Sequence, residues 1–365
     1  MTACLLFLTL AAADADVASQ IETILTVQPR AENQAAASKA AVELADASPE
    51  ALPTIAAAIG DGHGLADNAL RGAFETIVAA ADAAALPLDE LRDFYADRSH
   101  DPRARRMVFE LLRDRDALDG AEPQLDDPSE ELRFDAVKAA LDAADALPDD
   151  DALAAYRAAL AGATDRDQVD RIAKRLEAAG EPVDRVAHYG YLTRYRLIGP
   201  FDNRDEASFD RSYPPEERPG DPAFDKELAS DFEGFDSVGW QTFDASGDEA
   251  TLNLHDVADN YKGSLVYLAT AFEADAAGPI QLRLSTENAF KIWLNGEPVF
   301  ARPEYHRSKR FDQYVLPAEA REGRNLVFIK LLQNEQEQSW AQEYDVSVRV
   351  TDPTGIAADI EPILP

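Results

Sequence analysis

The stretch FKIWLNGEPVF, residues 290–300, decides the fold of the second half of the chain. In FKIWL, polar and apolar residues alternate, as in a β-strand that buries one face. Asn295-Gly296 then supplies a two-residue turn of the kind that closes hairpins, because both residues tolerate positive φ. The run QLRLS at 281–285 alternates in the same way. We therefore expect antiparallel β-structure here.

Further strand-like runs extend outward from this hairpin and are separated by turn residues such as Gly278-Pro279 and Gly323. The Pro-rich stretch 213–223 predicts a long irregular loop. Because no helical pattern interrupts the strands, the second half is predicted to be an antiparallel β-sandwich. The remaining runs are Tyr191–Ile198, Trp240–Phe243, Ala250–Leu254, Ser264–Phe272, Asp312–Leu316, Asn325–Leu332 and Tyr344–Thr351.

The residues before about 188 have a helical period instead. Asp127 is expected to cap a helix that has Pro128 at its first position, and Asp101-Pro102 to open another in the same way. Short helical patterns alternate with longer ones that begin near 31, 65, 102, 128 and 165. This spacing predicts about five stacked αα-hairpins, with a compact helical bundle as the alternative.

The segments DPRARRMVFELL (101–112) and DPSEELRFDAVKAAL (127–141) resemble the second helices of HEAT repeats. The resemblance implies a HEAT-like α-helical repeat array over 16–187. The concave surface of such an array commonly binds protein. A spacer that supports the sandwich is the alternative role.

The segments LIGPFDN (197–203), FKIWLNGEPVF (290–300) and GRNLVFIKLLQNE (323–335), with the Glu287-Asn288 turn, resemble the galactose-binding-domain-like fold. The resemblance implies a jelly-roll β-sandwich over 188–356, followed by a tail at 357–365, and carbohydrate as the ligand class. It implies no particular sugar, since the binding loops of this fold vary. Structural roles are expected for the framework residues Trp293, Asn295-Gly296, Asn325 and Lys330.

Two predicted loops, 301–314 and 333–344, combine aromatic and polar residues. Sugar recognition needs a flat apolar face for the ring and planar amide, carboxylate or guanidinium groups for the hydroxyls. Ordinary polar surface, with Trp340 closing one end of the core, is the alternative. The candidate ligand-binding residues are Glu304, Tyr305, His306, Arg307, Arg310, Asp312, Gln333, Asn334, Glu335, Gln336, Trp340 and Gln342.

The formal net charge of −34 repels nucleic-acid phosphate and anionic lipid, so neither is an expected partner. One basic island interrupts this acidity, with Arg302, Arg307, Lys309 and Arg310. It could accept an acidic sugar or an acidic partner, or pair with neighbouring carboxylates. The sequence leaves the oligomeric state open.

No catalytic motif was found: H-E-x-x-H, G-x-S-x-G, the P-loop and G-x-G-x-x-G are all missing. With 69 acidic residues, chance proximity of carboxylates cannot indicate a glycosidase pair. We therefore predict no enzyme and no cofactor, with a hydrolase using sandwich-loop carboxylates as the catalytic alternative. A structural calcium ion could bind oxygen-rich loops, for which the candidates are Asp202, Asp205, Asp256 and Asp259.

The N-terminal run ACLLFLTLAAA (3–13) is too short to span a bilayer. It resembles the apolar region of a secretory signal, with Ala13-Asp14-Ala15 as the cleavage site, although Met1-Thr2 supplies no basic residue. A buried first helix is the alternative. We expect 1–15 to be a signal peptide, the protein to be exported to the periplasm or beyond the cell, and the mature chain to have no membrane span.

These features predict an exported, non-catalytic binding or scaffold protein, whose sandwich recognises carbohydrate and whose helical repeats recognise protein. The alternative is a structural protein–protein assembly module that has kept the sandwich fold and lost sugar binding. A solvent-exposed aromatic side chain beside Arg and Gln side chains would favour the first.

Overall fold

The computed structural model describes residues 16–62, 64–255 and 261–365. It divides into two compact units, of which the first ends at Ile172 and the second begins at Ala173. The first unit is helical, whereas antiparallel sheets dominate the second, so the chain combines α and β structure as expected. The predicted boundary at 187/188 lies further along the chain. The predicted signal peptide, 1–15, lies outside the described residues.

Five helices begin at residues 34, 64, 102, 130 and 166, each within three residues of a predicted start. The predicted alternation of short and long helices is wrong beyond residue 101, because residues 115–129 contain no helix and the helix at 149–162 is longer than the one at 166–178. The helices are α1 (16–25), α2 (Gln34–Leu44), α3 (Leu52–Ala57), α4 (Gly64–Ala80), α5 (Leu88–Ala96), α6 (Pro102–Asp114), α7 (Glu130–Ala144), α8 (Asp149–Gly162), α9 (Arg166–Ala178) and α10 (Arg185–Tyr189).

One predicted helix cap is confirmed and another is wrong. Asp101 caps α6, since its carboxylate accepts hydrogen bonds from the first free backbone N–H groups of that helix. Asp127, however, does not cap α7; Ser129 does. The Asp127 carboxylate instead accepts two hydrogen bonds of 2.8 Å from the Arg105 guanidinium, and both side chains are buried. Leaving a buried guanidinium without a charged partner costs more free energy than losing one particular helix cap.

The apolar residues of α1 to α6, with Leu132 of α7, pack in a core that includes Leu70 and Phe74 of α4 and Val108 of α6. Buried arginines connect the helices to the loops between them. Arg133 donates to the carbonyl oxygen of Gly162 at 2.9 Å and to that of Asp127 at 2.7 Å. The loops of the first unit are therefore held by charge-assisted hydrogen bonds as well as by apolar packing.

The second unit contains two main antiparallel sheets. The larger has the strand order β4-β1-β6-β11-β8-β9, with β13 pairing β6, and the smaller has the order β10-β7-β12-β5. The strands are β1 (Arg194–Asp202), β2 (Leu228–Ala229), β3 (Ser237–Val238), β4 (Gln241–Asp244), β5 (Leu252–Asn253), β6 (Ser264–Ala274), β7 (Gly278–Ser285), β8 (Ala289–Leu294), β9 (Glu297–Arg302), β10 (Tyr314–Ala320), β11 (Gly323–Leu332), β12 (Asp345–Thr351) and β13 (Ile360–Ile363).

The larger sheet is apolar on both faces. On one face, residues such as Phe290 and Ile329 share a core with Leu282 of the smaller sheet. On the other, Tyr267 and Phe328 pack beneath the segment 203–240, which crosses the sheet as loops and the short β2–β3 pair. Both faces of the central strands are therefore buried, which explains their nearly continuous apolar sequence.

The framework residues have the structural roles expected of them. Asn295 lies in the turn between β8 and β9 with a φ of 54°, and its amide oxygen accepts a hydrogen bond of 2.9 Å from Leu326 N–H. Lys330 is fully buried, and its ammonium group donates to the carbonyl oxygens of Phe209 and Arg211 and to the Glu216 carboxylate. Burial lowers the pKa of Lys330, while the Glu216 carboxylate opposes that shift.

Across residues 16–62, 64–255 and 261–365, the helices are all too short or too polar to cross a membrane.

Candidate functional site

Four segments of the second unit converge at one end of its two main sheets. They are 202–206 after β1, 286–288 between β7 and β8, 303–313 between β9 and β10, and 333–342 after β11. Antiparallel pairing causes the convergence, because Ala289 at the start of β8 lies opposite Leu332 at the end of β11. We call these four segments the polar end.

The two loops predicted to bind ligand meet at His306 and Asn334. His306 Nε2 lies 2.7 Å from Asn334 Oδ1, and Asn334 Nδ2 donates to the Glu206 carboxylate at 3.0 Å. Because Asn334 Oδ1 also accepts from the backbone N–H of Gln336, it acts as an acceptor and Nε2 of the histidine carries the proton. His306 Nδ1 is buried without a hydrogen-bond partner in the described part of the chain.

Trp340 is the exposed aromatic residue of the polar end. Trp340 is 58% exposed, and the centroid of its ring lies 5.3 Å from that of the His306 ring in an edge-to-face contact. A single turn of 3-10 helix, Ser339–Ala341, carries it, and Lys262 Nζ donates to the carbonyl oxygen of Ala341 at 2.7 Å. Trp340 therefore presents an indole to solvent rather than closing the core, which is the first of the two arrangements that the sequence allowed.

The polar end also contains two buried amides. Gln333 and Asn288 are both fully buried, and neither side chain has a hydrogen-bond partner among the residues that the structure describes. Extending the pairing of β8 and β11 by one residue beyond Ala289 and Leu332 places Asn288 opposite Gln333. An unpaired buried amide typically costs about 1–3 kcal/mol, so both amides would gain from a hydroxyl-bearing molecule. Asn288 was not among the predicted site residues; its turn was noted only as part of the fold resemblance.

Tyr305 forms a wall of the polar end. Its hydroxyl accepts a hydrogen bond of 3.1 Å from Asn203 Nδ2, which also donates to the carbonyl oxygen of Gln333. Burial raises the pKa of Tyr305 to about 12, against the opposing effect of the Asn203 hydrogen bond. The phenol therefore stays neutral at physiological pH. Asn203, fully buried, is a second residue of the polar end that the candidate ligand set did not include.

An open cleft of about 580 Å³ adjoins His306, and we call it the arginine cleft. Glu304 accepts from Arg307 at 2.5 Å and from Arg302 at 2.8 Å. Desolvation opposes ionisation of Glu304, but the two guanidinium groups outweigh it and lower the pKa of this carboxyl. Arg310 makes no ion pair among the described residues. The lining includes Arg302, His306, Arg307, Arg310, Gln313 and Tyr314.

Asp312 holds the loop that carries these arginines. Its carboxylate accepts from Arg283 at 2.6 Å and from Arg349 at 2.6 and 2.5 Å, and both arginines are buried. Nearby, Lys309 Nζ pairs with the Asp345 carboxylate at 3.0 Å. Asp312 thus lines the cleft, but its oxygens are occupied by the protein itself.

The other predicted residues are placed as follows. The Glu335 carboxylate accepts from the backbone N–H of Asp205 at 2.5 Å. Gln342 Nε2 donates to the carbonyl oxygen of Gln338, away from the His306–Asn334 contact. Asp202 pairs with Arg204. Asp256 and Asp259 lie outside the described residues. Within the described ranges, no group of three or more His, Cys, Asp or Glu side chains is placed to hold a metal ion.

Comparisons with known proteins add little to this geometry. No protein-family model matches the sequence, and no curated protein matches it significantly. Among solved structures, a β-glucuronidase from an uncultured Clostridium species aligns at 17% identity, over 44% of this chain and 28% of that protein, with a TM-score of 0.22. A likeness of this size carries no argument about fold or function.

The lowered pKa keeps the Glu304 carboxylate ionised at neutral pH, so it pairs with Arg302 and Arg307 as an anion. The arginine cleft itself offers a ligand the rings of Phe311 and Tyr314, the amide of Gln313 and guanidinium N–H groups.

Proposed function

We propose that the protein is a non-catalytic binding protein and that the polar end is its carbohydrate site. The observation that carries the proposal is Trp340: a largely exposed indole beside a histidine that is held in place by the amide of Asn334. An exposed aromatic face next to oriented polar groups is the arrangement that sugar rings require, since each ring has an apolar C–H face and a rim of hydroxyls.

In this proposal, one sugar ring lies on the indole of Trp340. The arginine N–H groups are then available to its hydroxyls. The buried amides of Asn288 and Gln333 would receive a hydroxyl that reaches past the rim. Both tryptophan and arginine are residue types that dominate binding energies in recognition sites.

The same proposal covers the fold of each unit, the ligand of the helical unit and the location of the protein. The two-sheet unit would be a jelly-roll of the galactose-binding-like class, and the helical unit a HEAT-like array that binds protein. The protein would be exported. The order of the strands and the five helix starts that match the predicted spacing support the first two statements. A purely structural assembly module is the competing function, and it predicts no binding of any glycan.

The test is a glycan array probed with the full chain and with Trp340→Ala. We expect Trp340→Ala to weaken binding about 30-fold or more, which corresponds to the loss of about 2 kcal/mol typical of a central aromatic contact. Phe134→Ala is the matched control, since Phe134 is an exposed aromatic residue of the helical unit, and it should bind like the unchanged chain.

A folded protein that binds no glycan on the array would contradict the carbohydrate proposal and favour the assembly module. Equal losses in Trp340→Ala and Phe134→Ala would show that the polar end is not the site. Repeating the array with a chelator tests the predicted calcium ion, because a bound structural ion would make binding sensitive to its removal.

A further inference from the structure

The arginine cleft is the feature that the proposed function does not yet use. We propose that the glycan is anionic, and that its carboxylate or sulfate group binds in the arginine cleft while a neighbouring ring lies on Trp340. This inference rests on the proposed carbohydrate site and adds the chemical class of the ligand.

The charges around the cleft support it. The chain carries a formal net charge of −34, yet residues 301–314 contain four cationic residues and only two carboxylates. Asp312 is neutralised by the buried Arg283 and Arg349, and Lys309 is paired with Asp345. Within 301–314, three arginines and one carboxylate, that of Glu304, then remain. A cationic site on a strongly acidic surface attracts small anions that the rest of the surface repels.

The geometry of the arginines favours an anion with two or more oxygens. Glu304 contacts Arg302 and Arg307 at 2.8 and 2.5 Å through one carboxylate oxygen, and so holds the two guanidinium groups close together. Arg302 Nε is buried and has no hydrogen-bond partner among the described residues. Arg310 completes the lining. Planar guanidinium groups match carboxylate and sulfate oxygens in pairs, which an ammonium group cannot do.

The cleft also adjoins the proposed sugar platform. His306 lines the cleft and contacts the ring of Trp340, so the two surfaces share this residue. The cleft volume of about 580 Å³ falls within the range of roughly 300–1,000 Å³ that small-molecule sites occupy. A polysaccharide that carries an acidic group on each ring or on alternate rings could therefore use both surfaces at once.

The test measures binding of the full chain to soluble polymers by isothermal titration calorimetry. Polygalacturonate supplies carboxylates on a sugar chain, and dextran sulfate supplies sulfates. Galactan and dextran are neutral, and poly-L-glutamate supplies carboxylates without sugar. We expect binding to polygalacturonate or dextran sulfate, and the stronger of the two identifies the anionic group. Binding should weaken as salt is added, since the contacts are charged.

The variants are Arg310→Gln and its matched control Arg321→Gln. Arg321 is exposed and follows the far end of β10, roughly 20 Å from the cleft at 3.3 Å per strand residue. Both variants change the net charge equally. We expect Arg310→Gln to weaken anionic-glycan binding about 10-fold or more, as loss of a charge-assisted contact does, and Arg321→Gln to leave it unchanged.

Any other result contradicts the anionic-glycan inference. The pattern of results also distinguishes failure of this inference from failure of the carbohydrate proposal. Binding of galactan or dextran that requires Trp340 but not Arg310 would leave a neutral-sugar site and refute the anionic one. Equal binding of poly-L-glutamate would assign the cleft to an acidic protein partner. Equal losses of affinity in Arg310→Gln and Arg321→Gln would show that the overall charge of the protein, and not the arginine cleft, determines binding. Failure to bind every glycan polymer would refute both proposals.

Discussion

The substitution Asp312→Asn tests whether the loop of the arginine cleft depends on one largely buried carboxylate. Asp312 accepts three charge-assisted hydrogen bonds, of 2.5 to 2.6 Å, from Arg283 and Arg349. Both arginine side chains are only 2% exposed, and the aspartate side chain is 16% exposed. Asparagine keeps one acceptor oxygen but removes the negative charge that the two guanidinium groups share.

The expected cost follows from this burial. Removing one partner of a buried ion pair costs about 3–5 kcal/mol, because the remaining charge stays buried and uncompensated. Since the carboxylate itself is partly hydrated, we expect the lower end, about 3 kcal/mol, for Asp312→Asn. Asp210→Asn is the matched control. Asp210 pairs with Lys291 at 2.9 Å but is 92% exposed, so its loss should cost less than about 1 kcal/mol.

Urea denaturation followed by tryptophan fluorescence measures both variants. The three tryptophans of the sequence, at 240, 293 and 340, all lie after residue 172, so the fluorescence signal reports on the second unit alone. Asp312→Asn should lower the midpoint strongly, with an unchanged dependence on denaturant. If the two variants shift the midpoint equally, burial does not decide the strength of these ion pairs and the reasoning is wrong.

Two further predictions concern glycines and tyrosines. Gly162→Ala should destabilise the helical unit by about 1–3 kcal/mol, since a Cβ there would lie 2.3 Å from the carbonyl oxygen of Leu125. Gly72 has open space around it, so Gly72→Ala should instead stabilise the helical unit by up to about 1 kcal/mol. Circular dichroism during denaturation measures both effects. Burial raises the pKa of Tyr95 and of Tyr305 to about 12. The pKa of tyrosine in an unfolded chain is about 10. Above that pH the unfolded chain binds fewer protons than the folded protein, so the free energy of unfolding should fall as pH rises. Tyrosinate absorbance that rises fully near pH 10 in the folded protein would contradict the burial of these phenols.

The strands and helices were predictable wherever a short stretch of sequence determines its own conformation. The Asn295-Gly296 turn needs positive φ at both positions, and the structure has it there. Five helices begin within three residues of their predicted starts. Cap choice was less predictable: Asp127 and Ser129 are both good caps, and only the distant Arg105 decides between them.

Strand ends were predicted less well, for a related reason. The first strand was expected to end at Ile198, before the Gly-Pro pair, but β1 continues to Asp202 after a shift in its register with β6. A neighbouring strand supplies hydrogen-bond partners beyond the point at which local propensity favours an end. Such tertiary pairing cannot be read from the residues of one strand.

The candidate site was predictable in composition and not in arrangement. Loops 301–314 and 333–344 do meet, through His306 and Asn334. Yet Asn203 and Asn288 belong to the same end because strands distant in sequence terminate together, and no local pattern indicates this. Asp312 illustrates the opposite case: it is a plausible ligand-binding residue by type, whose oxygens are already used by two distant arginines.

The segment 203–240 has a consequence for anyone who shortens or recombines this chain. It lies over the second apolar face of β6 and β11, and the ammonium group of Lys330 fixes it to the sheet. Trimming it as a dispensable loop would uncover a flat surface of aromatic and aliphatic side chains, which is a template for aggregation. A minimal version of the second unit must therefore retain 203–240.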